Sequence, residues 1–162
     1  MSRLLGLTDA IVAALNAAPT GTFGLPFTAV RRLVVMKDLA KIGTALGVYV
    51  VGVGRIEERT GSVANFTGDY EVAIVVQQRL ADGNNVRLQG DALEAKGEVL
   101  ENLCEQLTDY LVGLKLTVTG INGTPVFKKV DGNPAYNISA LHELGTFDSA
   151  QFLTCKAWKA VS

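Results

Sequence analysis

Thr67-Gly-Asp-Tyr-Glu-Val-Ala-Ile-Val-Val-Gln-Gln-Arg-Leu80 is the stretch on which the fold turns. In an extended chain Tyr70, Val72, Ile74 and Val76 share one side, and Glu71, Ala73, Val75, Gln77 and Arg79 share the other. A period of two with one apolar side marks a strand whose face lies in a core. The opposite face is mixed. Upstream, Val48-Tyr-Val-Val-Gly-Val-Gly54 is continuously apolar and predicts a central strand covered on both faces. Between the two, Arg55-Ile-Glu-Glu-Arg-Thr-Gly61 alternates in charge beside glycines and predicts a loop or an exposed hairpin. Downstream, Asp82-Gly-Asn-Asn85 is a turn, and Asp91 to Leu111 is the strongest helix. Leu93, Leu100, Leu103, Cys104, Leu107 and Leu111 recur on one face at helical spacing. Glu94, Glu98, Glu101 and Glu105 fall mostly on the solvated side. Asp91 and Glu94 have the spacing of a capping box, and Gly113 supplies the stop.

Outward from this block, Thr8 is placed to cap a helix over Asp9 to Ala17, with Leu7, Ile11, Val12 and Leu15 as its apolar stripe. A Gly/Pro/Thr loop runs to Pro26. A strand is expected within Phe27 to Val35 and a short helix within Asp38 to Leu46. After the long helix, Lys115 to Gly120 reads as a strand and Asn122-Gly123 as a turn. The Asp131-Gly-Asn-Pro134 region is variable. Tyr136 to Leu144 and Gln151 to Lys159 read as the last strands. Two amphipathic helices beside a run of strands predict an α+β fold: a single, mostly antiparallel sheet with the N-terminal helix and the long helix packed on one face. No repeat or linker divides residues 1–162, so one domain is expected.

Composition narrows the function. With 15 Lys plus Arg against 16 Asp plus Glu, the net charge is -1, which argues against a dedicated nucleic-acid binder. Apolar residues make up 48% and charged residues 19%, a balance that favours a packed core and association with other surfaces. A single histidine, His142, excludes a multi-imidazole metal centre within one chain. Cys104 and Cys155 fit no CxxC spacing and read as small buried apolar residues. Asp9 interrupts the apolar N-terminal stretch, so that stretch reads as a helix rather than a leader. No apolar stretch reaches the roughly 18 residues that span a bilayer. The sequons at Asn65, Asn122 and Asn137 are taken as chance matches.

Few motifs carry chemistry. Gly52-Val-Gly54 begins like a dinucleotide fingerprint, but position 57 is Glu and no helix follows. Gly43-Thr-Ala-Leu-Gly47 lacks the Lys-Ser/Thr of a phosphate loop. Glu57 and Glu58 are adjacent and would point to opposite faces of a strand, so they do not form a converging acid–base pair. Arg31 and Arg32 are likewise adjacent: one faces out, and the other needs a carboxylate partner or a sheet edge. Phe152, Trp158, Tyr136 and Phe147 gather near the C-terminus as core or as an interface.

The order of elements resembles the small tail terminator and head–tail joining (neck) proteins of tailed bacteriophages. The likeness rests on the N-terminal helix, the apolar strand running into a charged turn from Val48 to Arg59, and Asp69-Tyr-Glu-Val-Ala-Ile-Val-Val-Gln77. It also rests on the helix carrying Leu100, Leu103, Leu107 and Leu111, and on Ala150-Gln-Phe-Leu-Thr-Cys-Lys-Ala-Trp158. The resemblance implies a non-enzymatic virion protein without a cofactor, a tail terminator forming a six-fold ring. Its partners would be copies of itself, the major tail tube protein and the head–tail connector or stopper, with DNA passing through the ring. Assembly would take place in the host cytoplasm. Arg31, Arg32, Arg55, Glu57, Glu58 and Arg59 are the candidate intersubunit or tube contacts, chosen for charge and position. A neck stopper or tail completion protein shares these elements. From different classes, a small α+β ligand-binding protein or enzyme using Asp69, Glu71 or Asp82, and an adaptor that pairs strands with a partner, remain alternatives.

Overall fold

The computed structural model describes residues 2–35, 37–60, 65–118, 125–129 and 135–159, giving the backbone only for 58–60, 65–67, 128–129 and 158–159. Helices α1 (Arg3–Asn16) and α2 (Gly90–Leu111) lie over a sheet of strands β1 (Ala29–Arg32), β2 (Gly47–Thr60), β3 (Asn65–Arg79), β4 (Val126–Lys129) and β5 (Thr146–Lys159). The sheet order is β1-β2-β3-β5-β4. Among the described residues the β1–β2 pair is parallel and the β2–β3, β3–β5 and β5–β4 pairs are antiparallel. This is the expected α+β architecture.

The alternation in Thr67–Leu80 does what its period demands. Tyr70, Val72, Ile74 and Val76 are fully buried against both helices, in one cluster with Leu7, Ile11, Leu103 and Leu107. β3 is paired along its length with β2 on one side and β5 on the other, so it, and not Val48–Gly54, is the central strand. β2 is covered on one face only. Val48 and Val50 are buried, whereas Tyr49 and Val51 are half-buried on the opposite face and Val53 there is exposed. The continuous apolar run therefore supplies one core face and one open face.

Arg55–Thr60, expected as a loop or an exposed hairpin, is an arm of the antiparallel β2–β3 pair, in register with Tyr70 through Asn65 of β3. Alternating charge is compatible with a strand near the edge of the core, where Arg55 and Ile56, on opposite faces, are both exposed. The register shifts between Gly52 and Gly54, a bulge of the kind that bends and twists a strand. Gly52 has a second role. A Cβ built there would lie 2.8 Å from Leu4 Cγ, so the glycine lets the first turn of α1 settle directly on β2.

Several boundaries differ from those predicted. α1 starts five residues before Thr8, which lies inside the helix and donates its hydroxyl to Leu5 O at 2.8 Å. The N-cap of α2 is Gln89 without a side-chain cap bond, so Asp91 and Glu94 form no capping box, although Asp91 still favours the helix dipole. The strand within Phe27–Val35 shrinks to four residues, and the Asp38–Leu46 helix to a 3-10 turn over Leu39–Lys41. Residues 115–118 form no strand. Tyr136–Leu144 also forms none; Ala140–Leu144 is one π-helical turn. Asn137 accepts from Ala140 N–H at 3.0 Å, Arg87 donates to the carbonyls of His142 and Glu143, and Gly145 closes the turn at φ 64°. Asn122-Gly123 and Asp131–Pro134 lie outside the described residues.

The two glycines of the bulge give a direct test of this packing. Gly52→Ala is expected to destabilise by about 1–3 kcal/mol, because backbone and Leu4 must part. Gly54→Ala meets nothing within 4 Å and should cost far less. Denaturant unfolding of both variants measures the contrast.

Candidate assembly surface

Both helices occupy one side of the sheet, so among the described residues no helix covers the other side. Register places Tyr49, Val51, Ala73, Val75, Ala150 and Phe152 together on that bare face. Ala73 and Val75 are only 4% exposed, because the side chains of the flanking strands screen these small residues at the middle of the sheet. Towards the hairpin end the same face carries Ile56, which is 71% exposed. Phe152 is the C-terminal aromatic that faces outwards. Phe147 is fully buried and stacks on Tyr136 at 5.5 Å, while the Trp158 side chain lies outside the described residues.

The six charged candidates separate into distinct settings. Arg31 and Arg32 point to opposite faces of edge strand β1. Arg31 turns to the helix side and pairs with Asp9 of α1 at 3.2 Å. Arg32 lies on the bare face with its guanidinium 5.6 Å from the centre of the Tyr49 ring, a cation–π distance. Beside it Arg32, Val34, Val35, Tyr49 and Gln77 line a depression of about 360 Å³. Gln77 donates to Asp148 Oδ1 at 2.9 Å.

Arg55 and Glu57 lie beyond the bulge, on the helix side of the extended hairpin. Glu57 accepts from the Tyr70 hydroxyl at 2.8 Å and from Arg3 at 3.2 Å, which ties α1, β2 and β3 together at one point. The Tyr70 hydroxyl, then Arg3 and Arg55, hold the Glu57 carboxyl below its ordinary range against the opposing effect of burial. Burial, reinforced by Glu57, pushes the Tyr70 phenol up to about 12. Sequence reasoning missed Arg3 and Tyr70 as members of this cluster. The side chains of Glu58 and Arg59 lie outside the described residues; their backbones pair with Thr67 and Phe66.

Other candidate groups do not converge on a reaction centre. Burial pushes the thiols of Cys104 and Cys155 up to about 11 and about 12, which leaves them poor nucleophiles. His142 is exposed and lines a groove with Glu94, Glu98, Glu101 and Tyr136. Asp69 and Glu71 are exposed in the first half of β3, whereas Asp82 lies past its last residue and accepts from the N–H groups of Asn84 and Val86. Among the described residues no group of His, Cys, Asp and Glu has the arrangement of a metal site. Nor is any helix there long and apolar enough to cross a membrane.

No protein-family model matches the sequence. No curated protein matches it either. Among solved structures, the fold is similar to a chain of the "Virion of native gene transfer agent (GTA) particle". The TM-score is 0.51 at 16% identity, over 97% of this chain and 98% of that one. At that identity the likeness is one of fold. It spans both chains nearly end to end, so the whole two-layer arrangement is shared.

The Tyr70–Glu57–Arg3 cluster predicts two pH limits. Glu57, with a lowered folded pKa, contributes stability that is present above its ordinary value of 4.5 and lost as pH falls through the folded value. Tyr70, with a raised pKa, contributes stability that is present below 10 and lost as pH rises through about 12. Tyr70→Phe should lower stability by about 1–2 kcal/mol near neutrality and flatten the alkaline limb, as measured by urea unfolding across pH.

Proposed function

We propose that this chain is a non-enzymatic structural subunit of a phage-type virion. The observation that carries the reading is the fold shared from end to end with a chain of a virion particle. The bare, largely apolar sheet face accords with it, because exposed contiguous apolar surface is characteristic of a protein that packs against other proteins.

Within that class the chain fits a tail terminator. Copies assemble into a six-fold ring that caps the tail tube, stops its polymerisation and presents a surface to the head–tail connector or stopper. Subunit contacts in such a ring are heterologous, one patch meeting a different patch on the next copy. Arg31, Arg32, Arg55, Glu57, Glu58 and Arg59 belong to contacts with the neighbouring copy or the tube. The near-zero net charge supports this arrangement, since identical subunits then approach without strong long-range repulsion. DNA passes through the ring without sequence-specific contact. The protein joins the virion after assembly in the host cytoplasm. A neck stopper or tail completion protein, which shares these elements, is the alternative within the class.

Negative-stain imaging and light scattering of the purified chain test the reading. Rings with a central hole are the expected outcome, and Arg59→Glu should reduce both ring formation and binding to tail tubes. A monodisperse monomer at all concentrations, both alone and with tail tubes, would overturn it.

A further inference from the structure

We propose that the β1 end of the bare sheet face receives the solvent-facing stripe of α2 from the next copy of the chain. The inference rests on the assembly reading above and names the two surfaces that meet.

The receiving surface is apolar with a positive centre. Leu33 and Val34, just after β1, are 75% and 70% exposed, and Val30 on the strand is also exposed. Val34 lines the depression of about 360 Å³ together with Arg32 and Tyr49. Arg32 rests on the Tyr49 ring and has no carboxylate partner among the described residues. An arginine held over an aromatic ring keeps its outer N–H groups free for an incoming carboxylate. Lys37, also exposed, adds positive charge next to this edge.

The complementary surface is on the same chain. Of the seven charged residues of α2, six are acidic. Asp91, Glu98 and Glu105, spaced seven residues apart and all exposed, face away from the leucine stripe. Glu98 and Glu105 make no ion pair among the described residues. Val99 beside them is exposed and supplies apolar contact. The helix, about 33 Å long at 1.5 Å per residue, is long enough to cross several strands.

Architecture then dictates the symmetry. α2 forms the outside of one layer and the bare face the outside of the other, so the two surfaces look in opposite directions from one subunit. They cannot satisfy each other within a two-fold dimer. Each copy instead docks its α2 on the bare face of the next, in a head-to-tail series that closes into a ring if the rotation per subunit allows. The bare face thereby gains a helix layer from its neighbour.

Reciprocal charge reversal tests the contact. Arg32→Glu alone, and Glu98→Arg with Glu105→Arg alone, should each abolish self-association by light scattering at low salt. Mixed in equal amounts, the two should assemble again, because each reversed surface finds its complement on the other variant. Circular dichroism checks that both are folded. If either fails to fold, Arg32→Gln or Glu98→Gln should still weaken association at least tenfold. Rings that persist in both variants would overturn this contact and leave the ring reading standing. Open chains in the wild type that respond to both reversals would uphold the contact and overturn the ring. Folded variants that stay monomeric when mixed, or a wild type that never self-associates, would overturn the docking.

Discussion

Everything in this structure hangs on β3. It is hydrogen-bonded on both sides along its length, to β2 and to β5, so its position fixes theirs. Its inner face, from Tyr70 to Val76, is the floor on which both helices rest. Burial of a large aliphatic side chain is favourable by about 1.5–3 kcal/mol, and this strand and the helices above it concentrate many such side chains in one cluster. Truncating one of them would open a cavity that β2 and β5 cannot close without breaking their own ladders.

The same strand creates the protein's unfinished surface. A strand has two faces, and among the described residues helices cover only one. The small residues Ala73 and Val75 keep the second face flat, while the larger Tyr49 and Phe152 rise beside them. That face is wide enough to receive a further layer, and α2 bears an acidic outer stripe on the opposite side of the molecule. A two-layer subunit with unlike outer surfaces is suited to head-to-tail assembly.

Polar contacts hold the irregular parts to this frame. Asn16, the last residue of α1, accepts from Ala29 N–H at 2.8 Å and donates to Ala29 O at 3.0 Å, which sets the start of β1. Phe23 of the intervening loop packs against Phe27 and edge-on to Tyr110, and Gly24 N–H donates to Gln106. The loop is thereby fastened to α2. At the far end, Arg3 and Tyr70 meet at Glu57, so the hairpin leaves the body from a fixed base.

Periodic segments were legible in the sequence because their pattern follows from one element and one core. The alternation through Thr67–Leu80 and the leucines from Leu93 to Leu111 determined a strand, a helix and an α+β class. Adjacent residues on a strand must diverge, so the sequence also determined that Arg31 and Arg32 face opposite ways. Charge alone did not distinguish a loop from a hairpin arm at Arg55–Thr60, because the pairing with β3 that decides it leaves no mark in the local charge pattern. Tyr136–Leu144 turned into a π-helical stop because Asn137, Arg87 and Gly145, spread over 59 positions of the chain, all bond or close there. Strand order, the partnership of Arg3 with Glu57 and, among the described residues, the bareness of the second sheet face were decided only in the tertiary structure. Each depends on groups far apart in the chain meeting in space, and local periodicity carries no record of such meetings.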